Sequence, residues 1–188
     1  MAEVDLSFAS EWTAEVLGAR PLISPTRQYV YPQQVEEVER GALEVMVRPS
    51  GSPGVAGLPF LATFALGFAD AAAPTGVWSC PDPSWLCAVA GGYAYLIDTA
   101  DPGHWEQVEF RPVLEVRALV EQGLLLFAGH HSLCAWGARG KAWQSGRLSW
   151  EGVRVDSVKE WTLHGTGWDL ISDREVGFAL DLRTGERG

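Results

Sequence analysis

The strongest constraint on this chain is a spaced repetition. A shift of 38 residues lays LCAVAGGYAYLIDTADPGHWEQVEF (86–110) over LLLFAGHHSLCAWGARGKAWQSGRL (124–148) without a gap. Leu86 falls on Leu124, Ala90-Gly91 on Ala128-Gly129, and Trp105 on Trp143. Each copy holds an apolar strand, a turn with glycine and a second apolar strand. A second turn follows (Asp101-Pro102-Gly103; Arg139-Gly140), then a strand carrying the Trp. Glycine and proline at such points divide a chain into short strands. A partial third copy closes the chain: FALDLRTGERG (178–188) parallels YLIDTADPGHW (95–105). It lacks a Trp strand, and an N-terminal strand is expected to complete it.

A unit of roughly 40 residues with this order of strands and turns resembles a β-propeller blade. The wording of LLLFAGHHSLCAWGARGKAWQSGRL and ALDLRTGE is similar to blades of the pyrroloquinoline-quinone-repeat type, over about residues 84–188. The resemblance implies a style of fold and no cofactor; a full quinone-binding propeller is much longer than this chain. The expected fold is all-β, with antiparallel blade-like repeats that either close as in a propeller or form an open or sandwiched sheet. Residues 1–188 read as one β-rich domain. Within it, blade-like repeats fall at 84–120 and 122–158, and a partial repeat at 159–188.

The N-terminal part carries different signals. Phe8, Trp12 and Val16 lie at helical spacing, Ser7 can cap a start, and Gly18 with Pro21 can end it. A short helix is therefore predicted within 1–20. After it the period becomes two: RQYVY and LEVMV read as strands, and FLATFALGF reads as a strand apolar on both faces. RPSGSPG reads as a loop between them.

Charge and cysteine content narrow the function classes. Fourteen Lys and Arg against 24 Asp and Glu give a net charge of −10, and the basic residues are scattered. Neither a nucleic-acid backbone nor an anionic membrane surface suits that balance. MAEVDLSF has no apolar leader core, and the most apolar window, 55–69, is too short for a span. The three cysteines, Cys80, Cys87 and Cys134, suggest no disulfide framework, and a reduced cytoplasm is the expected location.

The chemistry-bearing residues each have a plain structural alternative. In FAGHHSLCAW, Gly129-His130 suits a tight turn, with His131 opening the next strand. The two histidines then point to opposite faces and do not share a metal. Cys80, Cys87 and Cys134 lack the short paired spacing of a structural zinc site. GARGKA (137–142) and GTGWDL (165–170) fail as phosphate and dinucleotide loops. HGTGWDLISD (164–173) puts His164 and Trp168 on one strand face, followed by Asp169 and Asp173 around a turn. Trp136 falls on the polar position of Asp98 and reads as a partly exposed contact residue.

The expected ligand- or partner-binding residues are thus His131, Trp136, His164, Trp168, Asp169 and Asp173, with no metal and no cofactor. The expected function is a non-catalytic module binding a protein or a small ligand. The alternative is a small hydrolase or metal-dependent enzyme using His130, His131 or His164 with nearby carboxylates. A homodimer pairing two incomplete sets of blades stays open.

Overall fold

Alternation of apolar residues at period two dominates the chain and makes it almost entirely strand. The computed structural model describes residues 2–23, 25–32, 41–50, 57–67 and 73–188. The strands are β1 (Glu3–Asp5), β2 (Trp12–Leu17), β3 (Gln28–Tyr31), β4 (Ala42–Pro49), β5 (Phe60–Ala65), β6 (Gly76–Ser79), β7 (Trp85–Ala90) and β8 (Tyr93–Asp98). They continue as β9 (Trp105–Gln107), β10 (Glu115–Leu119), β11 (Leu124–Ala128), β12 (Leu133–Gly137), β13 (Gly140–Gln144), β14 (Val153–Lys159), β15 (Thr162–Asp169) and β16 (Arg174–Asp181). One turn of 3-10 helix, Val120–Gln122, joins β10 to β11.

Four sheets result, stacked in file. The first has strand order β2-β4-β5-β3, the second β1-β6-β7-β8-β9, the third β10-β11-β12-β13 and the fourth β14-β15-β16. The last three are antiparallel meanders of blade type, with β1 added in parallel to β6. Three apolar cores separate the sheets. Trp12, Val45, Phe60 and Phe64 meet Leu86, Ala88 and Tyr95 between the first two. Cys87, Val89 and Leu96 meet Leu125, Phe127 and Trp136 in the middle. Leu124, Leu126 and Trp143 meet Val153, Leu163 and Leu180 at the far end. The second and third sheets are thus buried on both faces, which is why β7, β8, β11 and β12 are nearly continuous apolar runs.

The predicted N-terminal helix is not formed. The segment divides between β1 and β2, and Trp12–Leu17 pairs with Pro49–Glu44. The interval Trp12 to Val16 is even, so it fits period two as well as a helical turn. Trp12 is buried between two exposed neighbours and packs in the first core, whereas Phe8 packs in the middle one. Trp, Thr and Val favour a pleated strand once β4 supplies backbone partners. β1 also does not complete the last unit, because it pairs with β6 of the second sheet. β3, β4 and β5 fall where period two placed them, and β5 is buried on both faces. Phe68 and most of the loop at 48–54 lie outside the described residues.

The fourth sheet ends the stack. One face of it, with Val153, Val155, Leu163, Phe178 and Leu180, packs on the third sheet. The other presents Arg154, Asp156, Thr162 and His164 to solvent. Arg154 there pairs with Asp156 at 2.9 Å and lies 3.7 Å from Glu175. A charged face cannot take another sheet, so it acts as a cap for the array. The turn after β16 is held by Trp143 of β13, whose indole N–H donates to the Leu182 carbonyl at 2.6 Å. Gly185 (φ 74°) lies so close over that indole that a methyl group would meet the ring at 2.5 Å.

Replacing Trp143 by Phe leaves the Leu182 carbonyl buried without its donor. The expected cost is about 1–3 kcal/mol, read as a lower urea midpoint at unchanged slope. An unchanged midpoint would show that this bond does not hold the C-terminal turn.

Candidate functional site

The third and fourth sheets are bridged by the segment that leaves β13. Ser145 N–H donates to the Leu133 carbonyl at 2.9 Å, and Leu148 N–H to the His131 carbonyl at 2.7 Å. Trp150 N–H donates to the Trp168 carbonyl at 2.9 Å. The Ser149 hydroxyl accepts from the Trp168 N–H at 2.9 Å and from the Glu151 N–H at 3.1 Å. Ser149 is 1% exposed, and its hydroxyl takes up two backbone donors of the bridge.

This bridge leaves a cleft of about 280 Å³ between itself and the ends of β15 and β16, with Arg147, Trp150, Trp168, Asp169, Val176 and Arg187 among its lining. A second hollow of about 410 Å³ continues past Arg147 and Arg187 toward Thr184 and Glu186. The two arginines therefore stand where both hollows meet. Arg147 lies over the Trp150 ring, 4.2 Å from its centroid. Arg187 is placed by the C-terminal turn: it forms a bridge with Leu180, and direct cross-strand partners share a face. Trp150 and Val176 are exposed and form an apolar rim of the cleft, and Leu170 and Ile171 are exposed in the β15–β16 turn.

Five other basic side chains of the described residues have a carboxylate partner: Arg48, Arg117, Lys141, Arg154 and Arg183. Arg147 and Arg187 have none among the described residues, and neither do Arg20, Arg111, Arg139 and Lys159; Arg147 and Arg187 are set apart by lining one cleft. Asp169, in the same cleft, is turned to its own loop: its Oδ2 accepts from the Ser172 N–H at 3.0 Å and the Ser172 hydroxyl at 2.6 Å. Those two bonds hold its carboxyl below the ordinary range, so it stays ionised and committed to the turn.

The expected site residues separate. Trp168 and Asp169 line the cleft. His131 stands beside its wall, with Nδ1 3.2 Å from the Ser149 carbonyl. It does not open a strand, because four residues (129–132) connect β11 to β12 and the last pair is Ala128 with Leu133. The equivalent turn before it is the two-residue Gly91-Gly92, both at positive φ as a type I′ turn requires. The rings of His130 and His131 lie 6.2 Å apart. His164 is on the outer polar face of the fourth sheet, and Asp173 (φ 52°) is exposed in the β15–β16 turn.

Trp136 is not partly exposed. It is 4% exposed in the middle core. The gap-free overlay placed it on Asp98, but the longer turn at 129–132 adds two residues, so beyond that turn Trp136 corresponds to Leu96. Leu96 is buried in the same core. Arg147, Trp150 and Arg187 were not picked out by the sequence. Their only sequence signal is cationic and aromatic character outside the repeat's strand positions.

Among the described residues no three His, Cys, Asp or Glu side chains are grouped to hold a metal ion. Cys80, Cys87 and Cys134 all lie in the middle core as free thiols. Burial pushes the Cys134 thiol from 9.0 up to about 11, opposed by Lys141 and reinforced by Glu109, and it raises Cys80 and Cys87 as well. Compared with known proteins, the chain matches no family model and no curated sequence.

The thiols are expected not to react with iodoacetamide at pH 8 in the native protein, and all to react in urea; alkylation of the native protein would show that the middle core opens. Between pH 9.0 and about 11 the unfolded Cys134 ionises while the folded one stays protonated. Folding stability is therefore expected to fall across that window, and less steeply in Cys134→Ala.

Proposed function

We propose that this protein is a non-catalytic binding module whose contact surface is the cleft at Arg147 and Arg187, and that its ligand carries carboxylate groups. The observation behind this reading is the pair of arginines. In a chain of net charge −10, two guanidinium groups without a carboxylate partner among the described residues line the same cleft. A planar guanidinium matches a carboxylate bidentately and is less strongly hydrated than an ammonium, which suits it to a partly closed site. Trp150 stacks under Arg147 and so fixes that side chain while offering an apolar wall. Trp150 and Val176 give the ligand's carbon atoms a place beside its charge.

The same reading keeps the blade-like sheets as kin of quinone-repeat blades in style alone, with no cofactor in the module. Free, buried cysteines suit a reduced cytoplasm. No observation favours hydrolysis at the histidines: His131 abuts a backbone carbonyl, and His164 lies on the outer face of the fourth sheet.

A short acidic probe, N-acetyl-aspartyl-glutamate, tests the reading without the length to form a strand. Its titration is expected to shift the indole N–H resonances of Trp150 and Trp168 saturably. Arg147→Gln or Arg187→Gln is expected to weaken binding by roughly tenfold or more, since charge-assisted bonds are worth about 1.5–3 kcal/mol. Added salt should weaken it as well. Absence of a saturable shift in the parent protein, or equal affinity in both variants, would overturn the proposal.

A further inference from the structure

The fourth sheet has three strands where the first and third have four. The place of its missing strand, beside β16, is half filled by the chain itself. Asp181 N–H donates to the Glu186 carbonyl at 2.9 Å, and Gly188 N–H donates to the Ala179 carbonyl at 3.2 Å. Residues 179 and 181 thus turn their backbone groups away from β15. The β15–β16 register runs without a bulge from Asp169↔Arg174 to Thr162↔Asp181. Backbone direction alternates strictly along such a ladder, so Glu175 and Gly177 point the same way as 179 and 181. Their N–H and C=O groups have no backbone partner on that side among the described residues.

Two further features mark this half of the edge. Gly177 sits inside a strand without a side chain, as at places where another backbone comes close. Val176, on the side of the third sheet, borders the cleft that also holds Arg147 and Arg187. A strand laid antiparallel along 174–178 prolongs the line begun by Arg187. Its alternate side chains emerge on the same face as Arg187, and so toward the two arginines.

Resting on the carboxylate-binding reading, we propose that the open half of β16 receives an extended peptide from a partner protein as the fourth strand of this sheet. Acidic residues at alternate positions of that peptide face Arg147 and Arg187. Main-chain bonds to Glu175 and Gly177 supply pairing, and the arginines supply selection, as in strand addition to an exposed sheet edge. Charge decides the class of occupant. The uncovered guanidinium groups call for carboxylates, and the apolar rim of Trp150 and Val176 accepts the methylene stems that carry them.

The test uses the full chain and an acetylated, amidated hexapeptide, Glu-Thr-Glu-Thr-Glu-Thr. A copy methylated on the three Thr nitrogens keeps every charge and loses the donors that would face β16. The parent peptide is expected to bind saturably and to slow hydrogen exchange at the amides of Glu175 and Gly177. The methylated copy should bind at least about tenfold more weakly, since two or more hydrogen bonds are lost. Gly177→Pro removes one outward N–H at an edge position that tolerates proline, and it should weaken the parent peptide to a similar degree. Its fold is checked by an unchanged urea midpoint.

Equal affinity of the methylated and parent peptides, or unprotected amides at 175 and 177, would overturn strand addition. If N-acetyl-aspartyl-glutamate still binds in that case, the cleft reading survives. A hexapeptide that fails to bind while the dipeptide succeeds likewise overturns only the strand.

Discussion

Two-sided burial of the middle sheets is the constraint on which this molecule rests. The inner strands of the second and third sheets have no solvent face, so every position of β7 and β11 must be apolar or small. A strand of this kind cannot be stable alone, and each sheet needs a neighbour on either side. Stacking supplies them in order, and Phe127, with no exposed surface, sits in the centre of the file. At roughly 25 cal/mol per Å² of buried apolar surface, such aromatic and aliphatic side chains dominate the favourable side of folding. The charged face and the cleft are displaced to the fourth sheet, at one end of the stack.

The candidate site follows from this displacement. The third sheet hands the chain to the fourth through residues 145–150, and the buried Ser149 hydroxyl ties that segment to β15 by accepting from the Trp168 N–H as well as from the Glu151 N–H. Trp143 reaches in the opposite direction and holds the final turn. These two fastenings hold the segments that carry Arg147 and Arg187. The cleft is thus a by-product of how the last sheet is attached, and its arginines come from segments 40 residues apart in sequence, 147 and 187.

That origin explains what the sequence made legible. Period two and the glycine turns located β4, β5, β7, β8, β11 and β12, because those strands obey a local pattern that burial enforces. The same rule misplaced Phe8, Trp12 and Val16, since a spacing of four satisfies a helix and a strand alike, and only pairing with β4 decides between them. Trp136 was misjudged through a turn longer by two residues, a length invisible to an overlay without gaps. Trp168 and Asp169 were singled out because they share a short segment with turn chemistry. Arg147 and Arg187 were not, because nothing local says where the C-terminal turn docks; the Trp143 indole and the Leu182 carbonyl settle that across the fold.

The charged outer face of the fourth sheet has a consequence for how such a chain can lengthen. A duplicated unit appended after residue 188 would meet Arg154, Asp156 and His164, a surface that gives an incoming apolar face nothing to bury against. A duplicate inserted between β13 and β14 would find apolar walls on both sides. A copy added at that interior junction would carry the fourth sheet outward, together with its cleft.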